Sequence, residues 1–89
     1  MNNKLVEIYS TSTCHFCQMA KEFFTANGIE FTDYNVGLDP ERRAQMVEIT
    51  GHLGVPVIVI SDPSNSSGQA DVVIGFDEKT LRKILELPA

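Results

Sequence analysis

Two cysteines, Cys14 and Cys17, are the only ones this chain has. A bridge between them would close a tiny loop and restrain the unfolded chain little, so a disulfide scaffold is excluded and the pair reads as functional. Basic residues are also scarce, with seven Lys or Arg against twelve Asp or Glu and a net charge of −5. With no basic stripe, nucleic acid is not an expected partner. No apolar run approaches membrane-spanning length, and Met1-Asn2-Asn3-Lys4 leads into the first apolar stretch without a signal-peptide core. A cytoplasmic location is expected, where a CxxC is more often catalytic or metal-binding than structural. Internal repeats and linkers are missing too. The 89 residues, 43% hydrophobic and 21% charged, are expected to form one globular domain over 1–89.

What is present alternates between strand and helix patterns. Leu5 to Tyr9 reads as a short, mostly buried strand in which Glu7 should point to an edge or to solvent. Ser10-Thr11-Ser12-Thr13 is a polar turn whose hydroxyls can cap a helix. That helix carries Phe16, Ala20, Phe23 and Phe24 on one face, leaves Lys21 and Glu22 off it, and stops at Asn27-Gly28. Ile29 to Val36 alternates with period two and predicts a second strand. Asp39-Pro40 opens a second helix, with Ala44, Val47 and Ile49 inward and Arg42, Arg43 and Glu48 outward, ending near Gly51. Val55 to Ile60 is a β-branched run, and Pro56 must sit at its start or on its open side. A polar loop, Ser61 to Ala70, precedes a short strand at Val72-Val73-Ile74. Asp77 then caps a last helix with an apolar stripe of Leu81, Ile84 and Leu85, which Pro88 terminates. The order β-α-β-α-β-β-α implies an α/β fold with one mixed sheet. Its first two strands should be parallel through a right-handed crossover, and its last two should form a hairpin.

The chemistry centres on Cys14-His15-Phe16-Cys17, between the first strand and the first helix. Thiol–disulfide exchange needs one thiolate to attack a disulfide and a second thiol to resolve the mixed disulfide that forms. With Cys14 at the helix start and Cys17 one turn in, Cys14 is exposed and Cys17 partly covered. A free thiol titrates near ~8.5, and placement at a helix N-terminus in a CxxC lowers that value. Cys14 is therefore the expected nucleophile and Cys17 the resolving thiol, joined as a redox disulfide in the oxidised state. His15 is a solvent-facing residue that, if protonated, would further favour the thiolate. Zinc is the rival reading: two cysteines supply half of its four ligands, and only His15 and His52 could complete the set. Pro56 also has two readings. It either starts a strand, or forms a cis peptide with Val55 opposite the CxxC and leaves the Val55 backbone free to pair with an extended substrate.

Taken together, Cys14-His-Phe-Cys17, Ala20 and Phe24, Gly28-Ile-Glu-Phe31, Gly54-Val55-Pro56 and Gly75-Phe76-Asp77 resemble the glutaredoxins of the thioredoxin superfamily. The likeness runs nearly end to end and is strongest to small bacterial glutaredoxin-like proteins. It implies a thioredoxin fold with sheet order 2-1-3-4, helices one and three on one face and helix two on the other, and a cis Val55-Pro56 bond. It also implies a glutathione groove drawing on Thr13, His15, Phe16, Val55, Pro56, Gly75, Phe76 and Asp77. In that groove the backbone before the proline meets the glutathione cysteine, and Asp77 meets the γ-glutamyl ammonium. A role for Asp77 as helix cap is compatible with this.

The implied activity is reduction of protein disulfides or glutathione mixed disulfides, serving electron transport and cell redox homeostasis. Glutathione would be the co-substrate, with no tightly bound cofactor and no resident metal. The protein is expected to act as a monomer on disulfide-containing proteins, away from membranes. Several positions depart from the family pattern. His15-Phe16 stands for Pro-Tyr, Thr11 for Lys, Gly54 for Thr and Ile74-Gly75 for Gly-Gly, and the Ser61–Ala70 loop is longer than usual. These keep a flavoprotein thioredoxin reductase open as the electron donor. A glutathione-assisted iron–sulfur cluster site is the alternative function.

Overall fold

The computed structural model describes residues 4–51, 54–62 and 70–87. His52, most of the Ser61–Ala70 loop and Pro88 lie outside the described residues. The elements are β1 (Leu5–Ser10), α1 (His15–Ala26), β2 (Thr32–Asn35), α2 (Pro40–Thr50), β3 (Val57–Ser61), β4 (Ala70–Ile74) and α3 (Glu78–Ile84). The sheet order is β2-β1-β3-β4, with β1 parallel to β2 and antiparallel to β3, and β3 antiparallel to β4. This is the four-stranded mixed sheet of the thioredoxin fold.

Side chains alternate across a strand, so each strand splits its residues between two cores. On one face Val6 and Ile8 of β1, Ile58 and Ile60 of β3 and Val73 of β4 pack with Ala20, Phe23 and Phe24 of α1 and Leu81 and Leu85 beside α3. On the other, Tyr9, Val57 and Val59 pack with Val36 and with Met46 of α2. The segment 29–36 serves both: Ile29 and Phe31 join the first core, Tyr34 and Val36 the second. Only Thr32–Asn35 of that segment is strand.

The second and third helices start where the sequence signals them. Asp39 accepts from Arg42 N at 3.2 Å and is followed by Pro40, and Asp77 accepts from Thr80 N at 3.2 Å. At the end of α1, Gly28 takes φ +68° and Ile29 N donates back to Phe24 O at 2.9 Å. A left-handed residue there suits glycine.

Four expectations change. Phe16 is not on the buried face of α1: it is 56% exposed, and Cys17 takes the inner place with Ala20, Phe23 and Phe24. As the second residue of α1, Phe16 lies at the helix tip rather than over the sheet. On α2 Met46 is the buried residue, while Ala44 and Ile49 are exposed and Val47 half-buried. Arg42 points inward with Met46, four residues apart, and its guanidinium lies 4.0 Å above the Tyr34 ring. Glu7 is on an inner strand, half-buried, where it accepts from Tyr34 Oη at 2.7 Å. The pairing satisfies a carboxylate that edge exposure would otherwise have hydrated. Finally, Ser10 belongs to β1, and no hydroxyl of Ser10 to Thr13 caps α1.

Candidate active site

The cap of α1 is a sulfur. Cys14 is the N-cap residue, with φ −83° and ψ 113°, and its Sγ accepts from Cys17 N at 3.2 Å. A tight turn from Cys14 N to Thr11 O, 3.3 Å, sets it there. The place usually held by an Asp or Ser oxygen is thus held by a thiol sulfur. A helix N-terminus presents unpaired N–H groups and positive potential, and the Cys14 sulfur is placed there.

Cys14 is half-buried and Cys17 fully buried, both as free thiols. Burial pushes the Cys17 thiol up to about 12, helped by a hydrogen bond with Cys14 and by the nearness of that second sulfur. A backbone hydrogen bond from Thr11 and the charge of Lys21 act the other way. The half-buried sulfur and the fully buried one therefore differ in environment.

Across from the CxxC the Val55-Pro56 bond is cis. The Cys14 thiol faces the Val55 carbonyl at 3.9 Å, a weak contact that places that backbone beside the sulfur. Pro56 is buried just ahead of β3, and its carbonyl accepts from Gly75 N at 2.8 Å. Gly75 takes φ +86°, a turn that carries the chain from β4 to α3. Cys14, Val55, Pro56 and Gly75 are thereby linked in one chain of contacts, although they are far apart in sequence.

The remaining candidates fall into place more loosely. Thr13, His15 and Phe16 are exposed around the start of α1, with the His15 and Phe16 rings edge to face at 5.8 Å between centroids. Phe76, half-buried, packs its ring against Phe23 at 5.8 Å between centroids, at the margin of the first core. Asp77 is exposed and caps α3, and the Thr80 hydroxyl and N–H hold its carboxyl below the usual carboxylate value. Among the described residues no three His, Cys, Asp or Glu side chains gather to hold a metal ion, and His52 lies outside them. No described helix is long and apolar enough to cross a membrane.

A polar chain that no sequence motif marks joins β1, β2 and α1. Ser10, buried, donates from Oγ to Asp33 Oδ1 at 2.5 Å, and Lys21 Nζ pairs with Asp33 Oδ2 at 3.0 Å. A hydroxyl at the end of a buried strand, and a lysine four residues after the second cysteine, are the traces it leaves in the sequence.

A CxxC at the head of the first helix, facing a cis-proline on a 2-1-3-4 sheet, defines a thioredoxin-fold dithiol protein. The glutaredoxin family model matches residues 6–63. The chain is 33% identical over 82 residues to an uncharacterized glutaredoxin-like 8.6 kDa protein of a Clostridium pasteurianum rubredoxin operon, covering 92% of this chain and 99% of that one. To glutaredoxin 3 of Escherichia coli K12 it is 33% identical over 55 residues, 62% of this chain and 66% of the relative. The solved glutaredoxin of Archaeoglobus fulgidus superposes with a TM-score of 0.72 at 26% identity, over 93% of this chain and 85% of that structure. The glutaredoxin of Methanosarcina mazei Go1 gives 0.73 at 26% identity, over 91% and 77%. The chain belongs to the glutaredoxin family, and with its Cys14–Cys17 pair it is in general terms a thiol–disulfide oxidoreductase.

Proposed function

We propose that this protein reduces disulfides by a dithiol mechanism, with Cys14 as nucleophile and Cys17 as resolving thiol. The observation that carries the reading is the Cys14 sulfur at the α1 N-cap, beside the carbonyl of a cis-prolyl Val55. The Cys14 thiolate attacks one sulfur of the target disulfide, and the displaced thiolate takes up a proton. Cys17 then loses its proton and attacks Cys14 Sγ. The intramolecular disulfide forms as the second substrate thiol leaves. Two electrons return from two glutathione molecules or from a flavoprotein dithiol. No bound cofactor is required, because the two sulfurs carry the electrons.

Glutathione fits this reading as co-substrate. The Val55 backbone would meet its cysteine, and Gly75 to Asp77 its γ-glutamyl end, where the anionic Asp77 suits an ammonium. A reducing cytoplasmic setting and disulfide-bearing protein substrates follow from the same chemistry. Turnover is tested with glutathione plus its reductase and, in parallel, with thioredoxin reductase. Cys14→Ser should abolish reduction of protein disulfides by either route. Cys17→Ser should accumulate mixed disulfides while retaining glutathione-dependent deglutathionylation, which needs one thiol. Full activity in Cys14→Ser would overturn the assignment. Visible absorbance after anaerobic purification with glutathione would instead favour the cluster-binding alternative.

A further inference from the structure

The resolving step asks a fully buried sulfur to become anionic, and the polar chain of Ser10, Asp33 and Lys21 has no part in the steps above. Lys21 follows Cys17 by four residues on α1, a spacing that puts their Cβ atoms about 5–6 Å apart. Its ammonium is not left to swing in water. It pairs with Asp33 Oδ2 at 3.0 Å, and Asp33 is held through its other oxygen by the Ser10 hydroxyl at 2.5 Å. Ser10 is buried at the end of β1 and Asp33 sits on β2, so the two parallel strands together fix where the lysine head lies. Only about a quarter of the Lys21 side chain is exposed, 28%, against 35% for Asp33.

We propose that Lys21, held by Asp33 and Ser10, steadies the Cys17 sulfur as it becomes anionic and attacks Cys14 to resolve the mixed disulfide. The inference rests on the dithiol reading. Lys21 is a positioning residue, because it touches neither substrate nor the bond that breaks. The proton leaves Cys17 for solvent or for the departing substrate thiolate, and Lys21 keeps its own throughout. The charged and titratable groups around the sulfur are few. From α1, Cys14 opposes ionisation of Cys17 and Lys21 favours it, whereas Asp33 on β2 engages Lys21. The charge of Lys21 favours the ionised form of this thiol. It is a modest counterweight to burial, which matters because the resolving thiol must stay protonated at rest and ionise only in passing.

The test reads Cys17 without any substrate. In a Cys14→Ser background Cys17 is the sole thiol, and its alkylation by iodoacetamide is followed against pH. Adding Lys21→Gln should move the titration upward and slow alkylation about two- to fivefold at a fixed pH below the midpoint, the size of one partly screened charge. Lys21→Arg should restore the original curve, which a purely packing role would not do. In the otherwise native protein, Lys21→Gln should slow release of the second thiol from a preformed mixed disulfide by a similar factor and leave its formation unchanged. Coincident titration curves for the Lys21→Gln and parent proteins would overturn the inference, whatever the turnover result. A shifted curve in a protein that reduces no disulfide would instead count against the dithiol reading and leave the Lys21 effect standing.

Discussion

Toward α1 and α3 the sheet presents Val6, Ile8, Ile58, Ile60 and Val73, all buried beneath Phe23, Phe24, Leu81 and Leu85. Toward α2 it presents Tyr9 and Tyr34, with Glu7 bonded to Tyr34, beside Val57 and Val59, and α2 contributes a single buried side chain, Met46. The first face is close-packed hydrocarbon, and it sets the pitch of α1 and so the place of both sulfurs. The second is held partly by polarity: Tyr34 bonds Glu7, Arg42 lies over the Tyr34 ring, and the Tyr9 and Tyr34 rings meet at 5.2 Å. One face therefore carries the reacting helix rigidly, while the other keeps Val55 and its cis bond in place through a thinner layer.

The sharpest way to break this contrast is to empty the first face. Phe24 is fully buried, with Phe23 and Phe31 rings at 5.8 and 5.5 Å. Phe24→Ala should cost about 3–5 kcal/mol, the range for an aromatic removed from a core that cannot collapse around the gap. Denaturant unfolding would show this as a lower midpoint, and an unchanged midpoint would mean that α1 is positioned by something else. On the second face Met46→Ala should cost less, about 2 kcal/mol, because a helix with one buried anchor can settle into the space. A loss as large as that of Phe24→Ala would show that the two faces are equally rigid.

The same contrast decides what was legible in the sequence. Cys14, Cys17, Pro56, Asp39-Pro40 and Asp77 act through local chemistry: a thiol pair, a fixed ring, a cap. Each was found where its own residue type put it. The apolar faces of α3 and most of α1 were equally readable, since hydrocarbon burial follows periodicity. The errors fall where polar and apolar groups share a buried surface. Met46 was passed over and Arg42 placed outward because the period of α2 is carried by a cation on an aromatic ring, which hydropathy does not register. Glu7 reads from the sequence as pointing to an edge or to solvent, because its partner, Tyr34, lies twenty-seven residues away. Ser10, Lys21 and Asp33 escaped for the same reason: their contacts cross from β1 and α1 to β2. Phe16 differs, being in the right period but in the first turn of α1, where it is exposed.

A subtler probe of the second face is Tyr34→Phe, which keeps the ring under Arg42 and removes only the hydroxyl that donates to Glu7. About 1.5 kcal/mol should be lost, the lower end of the range for a hydrogen bond to a charged acceptor. The bond to Glu7 also holds the Tyr34 phenol above its ordinary range. Its folded value exceeds its unfolded one, so the stabilisation is fully present below the ordinary tyrosine value and fades as pH rises through the raised one. Tyr34→Phe should therefore flatten the alkaline decline measured by thermal unfolding. An equal decline in both proteins would assign it to other groups, among them the Cys17 thiol, which is pushed up to about 12.

The smallest effect belongs to the acid limb, and it separates the two roles of Asp77. The Thr80 hydroxyl and backbone N–H hold its carboxyl below the usual value, so the folded state prefers the anion. The sign is opposite to that of Tyr34. Stabilisation is present above the unfolded carboxylate value, about 3.9, and is lost as pH falls through the depressed one. Asp77→Asn keeps a capping oxygen but no charge, so it should lower stability slightly near neutrality and converge with the parent protein in acid. If Asp77 also meets the glutathione ammonium, Asp77→Asn should raise KM for glutathione-linked turnover with little change in the reaction with thioredoxin reductase. A stability change with no effect on KM would leave Asp77 as a helix cap alone. In that outcome Cys14 and the backbone of Val55 would be the parts of the site that hold the substrate.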